Sequence, residues 1–133
     1  MMDIGAAERI MPRFVVLEHD HRYLHWDLML ETGDVLRTWR LASPPESGKT
    51  IAAIFLADHR RMYLDYEGAV SGNRGWVSRW DAGFLVWQRE DEDGIAVILK
   101  GARICGTAVM KRSRGDEWTF TLLKDQAGSL ERS

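Results

Sequence analysis

The sequence predicts an all-β protein, a compact antiparallel β-barrel with short connecting loops. Three observations carry this reading. Apolar residues recur with a period of two rather than 3.6, turn signals punctuate the chain at short intervals, and no segment sustains a helical period. About eight to ten short strands of this kind are best accommodated in a closed or sandwiched sheet, which leaves no exposed edge for aggregation.

The elements follow in order. In "YLHWDLMLE", Leu24, Trp26, Leu28 and Leu30 alternate with Tyr23, His25, Asp27, Met29 and Glu31, so one face is apolar and the other largely polar. "TGD" at 32–34 is a tight turn, and "VLRTWRLA" runs back as the partner strand. "SPPESGK" is a loop, and "TIAAIFLA" at 50–57 reads as a buried strand. "MYLDYEG" carries a further alternation ending at Gly68, and "AVSGNRGWVSRW" combines a glycine-rich loop with a short strand. Two hairpins finish the chain: "GFLVWQRE" and "IAVILKG" across "DEDG", then "ICGTAVMKR" and "EWTFTLLK" across "SRGD". The domain therefore spans residues 13–125. Residues 1–12, with the one hint of helical spacing, form an extension, and 126–133 a frayed tail.

Bulk properties narrow the function classes. At 133 residues the chain holds one domain with a real core. A net charge of −2 excludes a broad basic surface, so a nucleic-acid ligand would be gripped locally, for example at one end. The single cysteine, Cys105, forms no internal disulfide, is expected as a small buried apolar residue, and fits a cytoplasmic protein. No apolar run reaches the roughly 18 residues of a membrane span, and "MMDIGAAERI" lacks a secretion-signal layout, so no membrane partner is expected. Six tryptophans read as core and rim packing, with base stacking the alternative.

Chemistry concentrates in "EHDHRYLHWDLMLE", which holds three of the four histidines. His25 and Asp27 are two apart on a strand and share a face, with His19 six residues earlier. Two imidazoles and a carboxylate make a three-ligand set with coordination positions left open for substrate or water. Zinc, manganese and iron all accept such ligands. Strand histidines are more often hydrogen-bonding core or surface residues, and spacing alone leaves both readings open. His21 is expected to be exposed. His59 and Tyr63, in "ADHRRMYLDYEG", read either as a solvated turn or as a general acid and phosphate contact, with Arg60 or Arg61 adding charge.

"RFVVLEHDHRYLHWDLMLETGDVLRTW" resembles the opening of the 3′-phosphoesterase domain of bacterial DNA ligase D and its free-standing relatives. The Phe-Val start, His-Asp, Leu-His-aromatic-Asp, glycine turn and Trp-containing strand follow in the family's order. "ADHRRMYLDYEG" is similar to its Asp-His-x-x-x-Tyr segment, and "WDAG", "LKGARICGTAVMKR" and "WTFTLLKD" to its closing strands, covering residues 13–125. The resemblance implies a β-barrel with a groove that uses manganese, with zinc as another candidate ion, to trim 3′ ends of nucleic acid in end-joining repair. A terminal ribonucleoside is released and the remaining 3′-phosphate removed. It also implies metal ligands at His19, His25 and Asp27, a phosphate-contacting catalytic histidine at His59 and an active-site tyrosine at Tyr63. Ligase or polymerase partners are expected on separate chains.

The chain departs from the family's pattern at four positions. Met29 replaces an arginine two residues after the ligand aspartate, Ala57 a glutamate, Ser43 a lysine and Ile51 a basic residue. Loss of the arginine removes transition-state charge worth ~3 kcal/mol, the scale of one oxyanion donor. Arg40, Lys49 and Arg60 are the nearby substitutes. A second expectation from these departures is a non-catalytic module that binds a metal or a strand end, and a third is a small-molecule phosphatase with a reshaped pocket.

Overall fold

The structure, a computed structural model, describes residues 11–124. The proposed helical spacing near the N-terminus and the frayed tail lie outside the described residues. Nine strands form among the described residues: β1 (Arg13–His19), β2 (His25–Thr32), β3 (Val35–Leu41), β4 (Thr50–Arg60), β5 (Gly68–Ala69), β6 (Trp76–Asp91), β7 (Gly94–Gly101), β8 (Cys105–Arg114) and β9 (Glu117–Lys124). The one helical element among the described residues is a 3-10 turn, Arg61–Leu64. No helix among them is long and apolar enough to cross a membrane.

The strands run antiparallel in the order β1-β2-β3-β4-β9-β8-β7-β6, and β6 pairs back onto β1. That contact closes an eight-stranded barrel, with β5 added outside along β6. Inward-facing residues fill it: Phe14, Val16, Leu28, Leu30, Trp39, Leu41, Val97, Leu99, Phe120 and their neighbours form one apolar core. Each fully buried leucine or phenylalanine there contributes about 1.5–3 kcal/mol. Trp26, Trp80 and Trp87 pack at the rim of this core and Trp118 inside it, whereas Trp76 is exposed.

Strand β6 serves both ends of the closure. Its first half pairs with β1 and its second half with β7. Gly83, at the handover, lies so close to β7 that a Cβ would fall 2.0 Å from the Lys100 carbonyl oxygen, so only glycine allows the approach. Asp81 then ties β6 to the β7–β8 connection. Its Oδ1 accepts the N–H groups of Ala82 and Ala102, and its Oδ2 those of Arg103 and Ile104.

Several sequence expectations are corrected here. "MYLDYEG" is not a strand: the 3-10 turn and a loop occupy it, and strand pairing resumes only at Gly68. Strand β4 is not buried on both faces, because Ile51 and Ala53 enter the core while Ile54 and the alternate positions face outward. Cys105 is exposed rather than buried, because Gly106, Ala108 and Met110 take the inward positions of β8. Leu24 precedes the start of β2 and is also exposed.

The "polar" face of β2 is the most informative difference. His25, Asp27, Met29 and Glu31 point outward from the barrel, yet all four are buried. The chain from the 3-10 turn through Val70 folds over the outside of β1 and β2. Leu64, Tyr63, Tyr66 and Val70 pack there against Val15, Leu17, Met29, Leu36 and Val77. A second, smaller apolar layer thus sits on the outer wall, and the candidate site lies at its margin.

Candidate metal centre

Strand register brings the three candidate ligands together. His19 ends β1 directly opposite His25, the first residue of β2, and Asp27 follows two positions along the same outward face. One ligand atom from each lies within 4.8 Å of the others. The Asp27 Oδ2 is 3.4 Å from His25 Nε2 and 3.6 Å from His19 Nδ1.

The remaining ring nitrogens are committed elsewhere. His19 Nε2 lies 2.7 Å from the Arg74 carbonyl, and His25 Nδ1 lies 2.9 Å from the Tyr23 carbonyl. A carbonyl only accepts, so both of these nitrogens carry the hydrogen. In the neutral rings the lone pairs of His19 Nδ1 and His25 Nε2 therefore point at a carboxylate oxygen. Three lone pairs facing one another repel, and the arrangement calls for a proton or a cation between them. Buried His25 Nε2 and Asp27 Oδ1 indeed lack a hydrogen-bond partner. Backbone carbonyls orienting the far nitrogens of two histidines is the usual outer support of a metal-binding imidazole pair. The donor set fits a divalent ion.

The electrostatics point the same way. Burial is the largest influence on Asp27 and would raise its pKa, but His19, His25 and Arg40 together outweigh it and hold the carboxyl down at about 2. Attraction to Asp27 raises the His19 pKa against the opposing effect of burial, with the Arg74 carbonyl adding to the rise. A negative charge is thus locked beneath the two imidazoles.

Around this cluster lies a cavity of about 220 Å³. His59 and Tyr63 line it with His19 and Asp27, so the structure brings four of the five candidate site residues to one space, and the fifth, His25, stands against Asp27. His59 ends up there because β4 continues beyond the expected 57 to Arg60, and the 3-10 turn swings Tyr63 back until the two rings are 5.9 Å apart. The Ala57 carbonyl accepts the His59 Nδ1 hydrogen at 2.8 Å, which leaves Nε2 as the uncommitted nitrogen. His21 is half-buried rather than exposed and also lines the cavity.

Of the departures from the family's pattern, Met29 bears directly on this space: it is 2% exposed and forms part of an apolar floor with Leu17, Leu56 and Val77. Ile51 faces the barrel core, so a basic residue there would not reach the outer cavity. Ser43 lies in the β3–β4 connection and does not line it.

Among the possible substitutes for the missing arginine, Lys49 and Arg60 do not line the cavity and Arg40 does. Arg40 is the cross-strand partner of Asp27, with Nε 3.9 Å from Asp27 Oδ1, and its side chain makes no hydrogen bond among the described residues. Arg61 is spent on an ion pair with Glu31 at 2.8 Å. The position of Arg40 was open to prediction, since a two-residue turn at Gly33–Asp34 already sets it opposite Asp27.

Two further contributors escaped the sequence reading. The Arg74 backbone carbonyl fixes the His19 ring, and Gly75 allows that approach. Gly75 adopts φ +82°, and a Cβ there would meet Asp20 Oδ1 at 2.3 Å. Asp20 Oδ1 accepts the Trp76 N–H at 2.8 Å and completes the clamp. The glycine-rich "SGNRG" is the one signal that marked this loop.

Comparison with known proteins agrees with the geometry. Residues 17–112 match the family model described as the DNA Ligase D 3′-phosphoesterase domain. The multifunctional non-homologous end joining DNA repair protein LigD of Mycobacterium tuberculosis is 33% identical over 122 residues, covering 85% of this chain and 16% of the relative. The LigD proteins of Mycolicibacterium smegmatis and Pseudomonas aeruginosa are 28% and 27% identical, covering 86% and 90% of this chain. The chain spans about a sixth of the length of these relatives. With the motif order, the closed barrel and a family match across most of its length, this chain belongs to the DNA ligase D 3′-phosphoesterase domain family.

Proposed function

We propose that the protein is a manganese-dependent phosphoesterase that trims 3′-phosphate or 3′-ribonucleotide ends of nucleic acid in end-joining repair. The observation that carries this reading is the convergence of His19 Nδ1, His25 Nε2 and an Asp27 carboxylate oxygen, with orphaned polar atoms, at the mouth of a cavity that also holds His59 and Tyr63. Family membership supports the reaction class, and the relatives' names support the repair setting.

His19, His25 and Asp27 would hold the ion, whose positive charge offsets that of the phosphate ester and of the oxygens that become more negative in the transition state. The chain's own groups do the rest. His59, anchored through Nδ1, presents Nε2 to the phosphate and, when protonated, donates that proton to the departing 3′-oxygen as the P–O3′ bond breaks and water's oxygen bonds to phosphorus, the water's own protons leaving on the released phosphate. Tyr63, against the His59 ring, positions the ester through its hydroxyl. Arg40 supplies the guanidinium that would otherwise stand at position 29, reaching in from the neighbouring strand beside Asp27.

The test is release of inorganic phosphate from a 3′-phosphate primer with added manganese, alongside metal analysis of protein purified without added ions. Wild type releases phosphate, and His25→Ala binds little metal and releases none. Absence of release under every divalent metal discards the enzyme. The apolar floor at Met29 favours a second reading, a non-catalytic module that holds a metal or a strand end. A silent wild type together with turnover in Met29→Arg would establish that alternative.

A further inference from the structure

Beside the metal centre lies a second, larger cavity of about 500 Å³, and nothing in the proposed chemistry uses it. The two cavities share His21 and Arg40, and His25 forms part of the second one's wall. A phosphate over the triad would therefore lie beside this seam. The second cavity is built unlike the first. Tyr23 is 82% exposed, Leu24 54% and Ile54 42%, so three large apolar side chains stand uncovered on one shelf. Arg22 and Arg40 flank them and no carboxylate lines the shelf. Flat apolar surface between cations, with room for a ligand of a few hundred Å³, is complementary to a nucleotide: a base with an apolar face on an anionic backbone.

We propose that this shelf binds the terminal nucleoside, the one that bears the 3′-phosphate, with its base stacked on Tyr23 and its phosphate held at Arg40. The proposal rests on the reading that the triad acts on a strand-end phosphate. Stacking reads no hydrogen-bond pattern, so the site is tolerant of base identity. Tyr23 contributes to the metal centre only through its backbone carbonyl, which a side-chain truncation leaves in place.

The experiment measures fluorescence anisotropy of the whole chain with a 5′-fluorescein oligonucleotide ending in a 3′-phosphate, in EDTA so that the ester stays intact. Tyr23→Ala is expected to weaken binding roughly tenfold, the scale of one base on one aromatic ring, whichever base is terminal. Tyr23→Phe keeps wild-type affinity, and Ile54→Asp, which sets a carboxylate on the shelf, weakens binding with an unchanged melting temperature. An abasic terminal residue lowers wild-type affinity by the same factor, and Tyr23→Ala then loses nothing more.

Equal affinity of wild type, Tyr23→Ala and Ile54→Asp overturns the proposal. So does a concentration-dependent dimer in sedimentation that Ile54→Asp disperses, because a second copy would then be the occupant. Phosphate release that is indifferent to Tyr23 sinks the shelf and leaves the phosphoesterase standing. Tyr23-dependent binding without any release does the reverse.

Discussion

Replacing Asp81 with asparagine leaves the side chain's shape almost unchanged and removes half of its acceptor capacity. In the native barrel its two oxygens take four backbone N–H groups, at 2.8 and 2.9 Å on Oδ1 and 3.1 and 2.8 Å on Oδ2. An asparagine retains one oxygen and two of these bonds, and turns an NH₂ toward the other two donors. Gly101 packs closely against this carboxylate, since a Cβ there would fall 2.4 Å from Asp81 Oδ2. Each lost bond to a charged acceptor costs about 1.5–3 kcal/mol, so Asp81→Asn should destabilise by roughly 3–6 kcal/mol. That is a large share of the ~5–15 kcal/mol that holds such a domain together. Urea titration should show a markedly lower midpoint at unchanged slope, and thermal melting a fall of about 10 °C or more. A midpoint within about 0.5 kcal/mol of wild type would show that these four bonds do not anchor the β7–β8 connection to β6.

Other expectations concern the metal centre. Manganese should raise the melting temperature of wild type in a concentration-dependent way and leave Asp27→Asn unmoved; equal shifts in both would place the ion elsewhere. Arg40→Met should cut phosphate release by about 100-fold, the scale of one transition-state donor, and Met29→Arg in that background should restore part of it. No loss in Arg40→Met would rule out the cross-strand clamp. The metal-free protein should respond to pH in a definite direction. The Asp27 carboxyl is held at about 2 against an ordinary 3.8, so its stabilisation is complete above the unfolded value and is lost as pH falls from about 4 to 2. That loss is roughly 2 kcal/mol. His19 has the opposite sign: its pKa is raised, so its contribution is complete below 6.5 and fades as pH rises past the folded value. The two shifts report one attraction and are counted once. Urea midpoints of wild type and Asp27→Asn from pH 2 to 8 should converge at the acid end, and parallel curves would refute the pairing.

Most of the barrel was readable in the sequence because hairpins are local. Alternation and two-residue turns sufficed for β2–β3, β6–β7 and β8–β9. Residue type and spacing marked His19, His25 and Asp27 as one possible ligand set and left the surface-histidine reading open; the resemblance chose between them, and the β1–β2 register brings the three together. What escaped was non-local: Met29 is covered by Tyr63, Leu64, Tyr66 and Val70, and Glu31 is met by Arg61, contacts that no period in β2 encodes. "MYLDYEG" misled because its alternating tyrosines serve a 3-10 turn and a loop packed on the outer wall. The Arg74 contribution is a backbone carbonyl, and nothing in a residue's identity announces it. Arg40 was within reach through hairpin register, and the Asp27 pairing gave it its meaning.

The candidate site residues stand on the outside of a closed and filled barrel. A duplex terminus, the proposed substrate, is wider than the lumen of eight strands, which side chains occupy, so an interior centre would have demanded unzipping the wall at every visit. Here the wall stays shut, and the proposed reaction asks no deformation of the scaffold. The same arrangement lets outer positions such as 29 and 40 change charge without disturbing the barrel's packed interior, so the fold can persist while the chemistry of the outer cavity changes.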